Sequence, residues 1–214
     1  MSDPIIQTDS QLIQYIQRHN ACKIIGFDTE FISEDTYRPE LCLIQVNADH
    51  DIALIDPYHI ADLAPFWQWL TDPTRTILVH ACREELRFIF QATNEAPQNL
   101  MDIQIAAAFV GLEYPASYGT LTKRLLDISL NKGETRTDWR RRPLTDAQCN
   151  YARKDVEHLE PIYNLLMSQL GEMGRTDWLF SELRRQQDHI LHQETSPQWR
   201  RVSGSGSLNR RGLE

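Results

Sequence analysis

The most constraining feature of the sequence is a short apolar run that ends in two acids. Residues 23–31 read KIIGFDTEF, so β-branched and aromatic residues lead directly into Asp28 and Glu30. The run is short and polar residues follow it, which predicts a buried central strand. Because side chains alternate faces along a strand, the two carboxylates share one face and lie about 6–7 Å apart. Such a pair inside a sheet is costly unless a cation lies between the acids, and a divalent metal with oxygen ligands is the simplest such cation. The alternative is an edge strand with both acids in water, and this stretch alone does not decide between the two.

Composition and charge exclude several classes of protein. The chain has 214 residues, 41% of them apolar, and no apolar run reaches the roughly 20 residues that span a bilayer. The N-terminus lacks the order of a secretory signal, and the four cysteines form no CxxC pair, which argues against a zinc site and a disulfide framework. We therefore expect a cytoplasmic protein without a membrane partner. A net charge of −8 argues against a protein that binds nucleic acid along its whole surface through excess positive charge. It still allows local binding of a nucleic-acid strand by a few basic residues.

The order of periodic segments predicts a mixed sheet flanked by helices, in the α/β class. Strands are expected at 23–31, 41–46, 52–55 and 76–80, and helices at 9–19, 63–70, 84–91 and 178–193. Two further helical stretches are expected between Asn99 and Asp127, broken near 113–115. A long helix should begin at Thr145, because Thr145 and Gln148 have the spacing of a capping box, and Pro161 should kink or split it. Residues 1–195 would form the domain, and 196–214 a flexible tail or a linker to a further helical domain.

Two more groups of polar side chains have spacings that bring them together. Tyr151 and Asp155 are four residues apart on the capped helix and therefore share a face, although a hydrogen-bonded surface pair would look the same. His80, Glu84 and Glu85 follow a strand end, where ligand sites of α/β proteins lie. The alternative for these acids is a solvated helix start favoured by the helix dipole.

The ordered set Asp28-x-Glu30, His80-x4-Glu85 and Tyr151-x3-Asp155 resembles the tyrosine subclass of the DEDD 3′–5′ exonucleases, and within it the ribonuclease D group. The likeness covers about residues 24–163 and includes further blocks, which read LIDP at 54–57, DIQIAA at 102–107, RTDW at 136–139 and RPL at 142–144.

The resemblance implies a ribonuclease H-like fold and removal of nucleotides, as 5′-monophosphates, from the 3′ ends of single-stranded RNA such as tRNA precursors. It also implies two divalent ions, Mg²⁺ with Mn²⁺ a plausible substitute. Their ligands would be Asp28, Glu30 and Asp155, with Glu85 acting directly or through a water, while Tyr151 would orient the attacking water.

One position departs from the family pattern, because Glu85 stands where an aspartate is usual. Glutamate is still an oxygen ligand but is one methylene longer, and metal sites are sensitive to displacements of about 1 Å. The chain could use Glu85 with a shifted helix, use Glu84 instead, or have a weakened second metal site. The departure keeps open a catalytically silent scaffold that binds RNA, and a DNA-directed exonuclease of the same superfamily is the second alternative.

Basic residues before the capped helix are candidate phosphate contacts. They are Lys132, Arg136, Arg140, Arg141 and Arg142. The alternative is that these arginines form structural ion pairs, for instance Arg136 or Arg142 with Asp138. We also expect Asp102 to brace the fold rather than bind metal.

Overall fold

The apolar run at residue 24 forms the central strand of a five-stranded sheet. The computed structural model describes residues 5–34, 38–130 and 137–195. The strands are β1 Ile24–Ile32, β2 Glu40–Ala48, β3 Asp51–Ile55, β4 Thr76–Val79 and β5 Leu100–Asp102. Their order across the sheet is β3-β2-β1-β4-β5. The pairs β1–β2 and β2–β3 are antiparallel and the pairs β1–β4 and β4–β5 are parallel, so the sheet is mixed, as expected.

Helices cover both faces of this sheet. They are α1 Asp9–Arg18, α2 Ala64–Thr71, α3 Arg83–Thr93, α4 Ile103–Phe109, α5 Tyr118–Leu126, α6 Asp146–Glu157, α7 Leu159–Glu172 and α8 Thr176–Thr195. Phe27 faces a core that includes residues of α1, α2 and α3, whereas Leu78 faces a second core that includes residues of α4, α5, α6 and α7. None of the helices in the described ranges is long and apolar enough to cross a membrane.

Local sequence signals set the path of α6 and α7 across the sheet. The capping box forms as predicted: Thr145 accepts from the Gln148 backbone N–H, and the Gln148 side chain accepts from the Thr145 backbone N–H. The predicted split also occurs, because Pro161 lies in the first turn of α7 and α6 ends at Glu157, the residue whose carbonyl the proline ring would meet in one continuous helix. The junction passes close to β1: a Cβ on Gly26 would lie 3.2 Å from a Leu159 methyl carbon.

The structure departs from the sequence expectations at element ends and at one strand. Residues 100–102 form the edge strand β5, so the helix expected from Asn99 begins only at Ile103. Three residues are too few to show a strand period, which is why the sequence did not reveal this strand. The proposed tail 196–214 lies outside the described residues, and its role stays a prediction.

Candidate active site

Carboxylates from three elements meet where β1 extends beyond its neighbour β4. The parallel pairing of β1 with β4 ends at Gly26 opposite Leu78, whereas β1 continues to Ile32. Beyond this point α3 packs against β1 on one face and α6 packs against it on the other. Asp28 and Glu30 project from β1, Glu85 comes from the first turn of α3, and Asp155 comes from the last turn of α6.

The electrostatics of these four side chains show that they share one environment. Burial, followed by repulsion from Glu85, Asp155 and Glu30, raises the pKa of Asp28 well above its ordinary value. Burial, with repulsion from Asp155 and Glu85, raises the pKa of Glu30 to about 8. Burial raises the pKa of Asp155 and that of Glu85 to about 7 each.

No positive side chain offsets this concentration of acids in the part of the chain that the structure describes. There, no lysine, arginine or histidine forms an ion pair with any of the four carboxylates. Buried charges are ordinarily paired or coordinated to a metal. The cluster is therefore an environment that a cation would stabilise.

Tyr151 lies against this cluster, one helical turn before Asp155. Its hydroxyl is close enough to the Asp155 carboxyl to act against burial and lower the pKa of that acid. Its ring packs on the buried ring of Trp139, with 6.2 Å between the ring centroids. Burial and the neighbouring carboxylates, Asp155 first, raise the pKa of the phenol, so Tyr151 stays protonated at neutral pH and can donate a hydrogen bond.

The two acids at the start of α3 have different surroundings. Glu85 is 4% exposed and accepts a 2.7 Å hydrogen bond from the Thr29 hydroxyl, whereas Glu84 forms an ion pair with Arg87 at 2.8 Å. The turn before them is held by Asp102, whose carboxylate accepts from the backbone N–H groups of residues 81 and 82 at 3.0 and 2.9 Å. Asp102 therefore braces the fold, as expected, and the geometry favours Glu85 over Glu84 as the site residue.

The basic residues proposed as phosphate contacts are placed differently from one another. Arg142 makes a bidentate ion pair with the fully buried Asp56, at 2.6 and 2.9 Å, and also donates to the Cys42 carbonyl at 2.6 Å. The structural alternative therefore holds for Arg142, but with Asp56 as its partner. Arg140 contacts Asp138 at 3.2 Å at the surface.

The remaining candidates in this set are either exposed or not described. Arg141 is exposed to solvent, which leaves it accessible to a phosphate. Lys132 and Arg136 lie outside the described residues, so their proposed role stays a prediction.

Three further residues near the cluster were missed from the sequence. Thr29 lies on the face of β1 opposite the acids but reaches Glu85, and Gln45 lies directly opposite Asp28 on β2. Tyr118 accepts from the backbone N–H of His158 at 3.0 Å, and its pKa is raised by burial and by the nearby acids. Thr29 lies between the two acids of the first motif, but nothing in the sequence signals its contact with Glu85, and Gln45 and Tyr118 belong to no recognisable motif. Only strand register and helix packing bring them here.

The donor set fits a hard divalent cation in its chemistry. Carboxylate oxygens are the ligands that Mg²⁺ and Mn²⁺ prefer, and the mutual repulsion of the acids would be relieved by such an ion. Within the described ranges, no three Asp, Glu, His or Cys side chains stand together in positions that could hold a metal ion, so the acids would have to rearrange to bind one. Because Glu85 accepts a hydrogen bond from Thr29, it would have to rotate to ligate an ion directly, or act through a water.

Comparison with known proteins shows which family and which proteins this chain resembles. Residues 4–171 match a family model described as 3′–5′ exonuclease. The chain is 39% identical to ribonuclease D of Pseudomonas paraeruginosa over 83% of this chain and 47% of that protein. It is 36% identical to ribonuclease D of Escherichia coli, over 100% of this chain and 57% of the relative.

A solved structure agrees with these sequence matches. The crystal structure of Escherichia coli RNase D, described as an exoribonuclease involved in structured RNA processing, superposes with a TM-score of 0.89 at 35% identity. It covers 99% of this chain and 56% of that one. The chain thus spans about half the length of the relatives it matches. The predicted fold and the resemblance to ribonuclease D are confirmed.

Proposed function

This chain belongs to the 3′–5′ exonuclease family, and we propose that it removes nucleotides one at a time from the 3′ end of RNA, releasing 5′-monophosphates. The observation that carries the proposal is the cluster of four carboxylates on β1, α3 and α6, which have raised pKa values and no cationic partner among the described residues. The ribonuclease D relatives support RNA as the substrate.

The acids suit the chemical demand of this reaction. A phosphodiester is anionic and repels an anionic nucleophile, so hydrolysis needs positive charge at the phosphate and at the departing oxygen. Two divalent ions, Mg²⁺ or Mn²⁺, would supply that charge and activate a water. Asp28, Glu30 and Asp155 would hold them, because these three lie on the side of the sheet that α6 covers.

The other two site residues, Tyr151 and Glu85, would orient the groups that take part in the reaction. The Tyr151 phenol, protonated and fixed against Trp139, would donate a hydrogen bond to the attacking water or to a phosphate oxygen once Asp155 ligates an ion. Glu85 would contribute a carboxylate oxygen directly or through a water, from the position that Thr29 gives it. The hydrogen bond from Thr29 at 2.7 Å supports this role, since it holds the longer side chain of Glu85 in one position.

The substrate would be a single-stranded 3′ end. Arg140 and Arg141 are the described candidates for phosphate contacts, and Lys132 and Arg136 remain candidates outside the described residues. Arg142 would instead hold the segment before α6 in place, through Asp56. By likeness to ribonuclease D we propose maturation of tRNA 3′ ends as the process, in the cytoplasm, in keeping with four cysteines that are all free.

The test is a time course on an RNA labelled at its 5′ end and carrying a 3′ overhang, with Mg²⁺, Mn²⁺ or a chelator. The matching DNA runs alongside. We expect a ladder that shortens from the 3′ end only with metal, and faster on RNA than on DNA. Faster shortening of the DNA would replace RNA by DNA as the substrate, and RNA binding without shortening would leave a silent scaffold.

Variants assign the roles within this assay. Asp28→Asn and Asp155→Asn should abolish shortening while the far-ultraviolet circular dichroism stays that of the wild type. Glu85→Asp should remain active and Glu85→Gln should lose most of the activity. Glu84→Gln is the matched control, and a loss of activity there with none in Glu85→Gln would move the role to Glu84.

A further inference from the structure

A buried glutamine lies beside the acid cluster without a hydrogen-bond partner. Gln45 is 0% exposed, and neither its amide nitrogen nor its amide oxygen contacts a donor or acceptor in the described part of the chain. It is the β2 residue directly opposite Asp28 in the antiparallel β1–β2 pair. Residues opposite each other in such a pair project from the same face, about 5 Å apart at Cβ. The amide therefore lies on the same face as the Asp28 carboxylate.

The surroundings of Gln45 would suit an apolar side chain. Leu54 is opposite it on β3, and Leu43 precedes it by two residues on the same face of β2. Both leucines belong to a core cluster with Ala152 of α6. A buried amide without a partner destabilises a protein, so this position would be better filled by a hydrocarbon if packing alone decided it.

Asn47, the next residue on the same face of β2, shows that a buried amide at this position can find a hydrogen-bond acceptor. Asn47 donates to the Val156 carbonyl at 3.2 Å and so ties β2 to the end of α6. Gln45 has no such bond, although it lies one step nearer the middle of the acid cluster along β2. This difference indicates a partner that comes within hydrogen-bond distance only when the acid cluster holds an ion.

We propose that Gln45 is a positioning residue of the metal site, whose amide N–H donates to the Asp28 carboxylate when the site holds its divalent ion. The inference rests on the proposed metal-dependent function. A ligating carboxylate needs its other lone pairs hydrogen-bonded to keep its orientation, and Gln45 is the neutral donor next to Asp28. The amide is thus retained for the loaded state at the expense of stability in the metal-free state.

The test measures ion affinity and metal-free stability separately, neither of which requires catalysis. Mn²⁺ is titrated calorimetrically into the metal-free wild type and into Gln45→Met, which has similar length and no polar hydrogen-bonding group of comparable strength. We expect about 10–100-fold weaker Mn²⁺ binding, the usual effect of losing a hydrogen-bond partner of a ligand. The metal-free melting temperature should rise by about 2–4 °C, because the partnerless amide is gone.

Two further variants separate positioning from packing. Gln45→Asn keeps an amide but withdraws it by one methylene, and it should also bind Mn²⁺ more weakly. Gln186→Met is the matched control, since Gln186 of α8 also has a buried amide oxygen without a partner but lies on a helix that carries none of the four acids. It should leave Mn²⁺ affinity unchanged.

The outcomes distinguish this inference from the function on which it rests. Wild-type affinity in both Gln45→Met and Gln45→Asn, with the wild type binding Mn²⁺, would overturn the role of Gln45 alone. A wild type that binds no Mn²⁺ would overturn the proposed metal site and this inference with it.

Discussion

The acid cluster should make the metal-free protein less stable as the pH rises, and Glu30→Gln should remove part of that loss. The pKa of Glu30 is raised to about 8 from an ordinary value of 4.5, by burial and by repulsion from Asp155 and Glu85. Between these values the folded chain keeps a proton that the unfolded chain has released. The free energy of unfolding therefore falls by about 1.4 kcal/mol per pH unit for each such proton. This loss begins near pH 4.5 and is complete near pH 8.

The size of the effect follows from counting one proton. The carboxyls repel one another and titrate as a group, so we assign the variant one retained proton fewer than the wild type. From pH 5.5 to pH 7.5 the wild type should lose about 2.8 kcal/mol more stability than Glu30→Gln, or roughly 6–11 °C in melting temperature. Burial lowers the pKa of His80, which gives a slope of the opposite sign, but this contribution is common to both proteins and cancels in the difference.

Urea unfolding in the presence of a chelator, repeated at several pH values, measures both slopes. Adding Mg²⁺ should flatten the slope of the wild type, because an ion on the ionised carboxylates stabilises the folded state more as the pH rises. Glu182→Gln is the control: hydrogen bonding from Arg185 lowers the pKa of Glu182, so this group titrates below the tested range. Parallel slopes for the wild type and Glu30→Gln would refute a shared, strained acid cluster.

Three other substitutions test the surroundings of the site. Arg142→Gln should lower the free energy of unfolding by about 3 kcal/mol, since it removes the bidentate partner of the buried Asp56 and leaves the half-exposed His59 as its remaining ion-pair partner. It should not change the salt dependence of RNA binding. Thr29→Val should cost about 1–3 kcal/mol in urea unfolding, because Glu85 loses its donor. Gly26→Ala should weaken Mn²⁺ binding measured by calorimetry, since a Cβ there meets the start of α7 at 3.2 Å and displaces the adjoining end of α6.

Each of these substitutions has a control variant, which makes the same change at a neutral position or keeps the functional group. Arg141→Gln should leave stability unchanged and reduce the salt dependence, so a salt effect confined to Arg142→Gln would contradict the assignment. Thr29→Ser keeps the hydroxyl and should restore most of the stability. Gly119→Ala adds a methyl with no atom within 4 Å, and ion binding should be unaffected.

Local features of the chain were predictable where neighbouring residues alone decide the outcome. Strand alternation placed Asp28 and Glu30 on one face, and the Thr145–Gln148 capping box formed at the start of α6. The turn between Tyr151 and Asp155 placed both on one side of that helix. These features depend on contacts within about four residues, where spacing in the sequence equals spacing in the structure.

Resemblance to a family carried the interpretation further than spacing could. The acids at 28, 30, 85 and 155 come from elements far apart in the chain, and their order identified a pattern that the structure then brings together electrostatically. The spacing of residues in the sequence could not predict that Glu85 contacts β1. That contact depends on the pairing of β4 with β1 ending at Gly26, before β1 itself ends.

The amino-acid sequence was therefore sufficient for the strand that carries the first acids, the capped helix that carries the last, and an interruption of that helix near Pro161. Only the tertiary structure decided that Arg142 pairs with Asp56, 86 residues away, rather than with Asp138. It alone placed Gln45, buried and without a partner, opposite Asp28. Register between strands and the choice of covering helix are set by packing of the whole chain, so a side chain's partner across the sheet cannot be deduced from its neighbours in sequence.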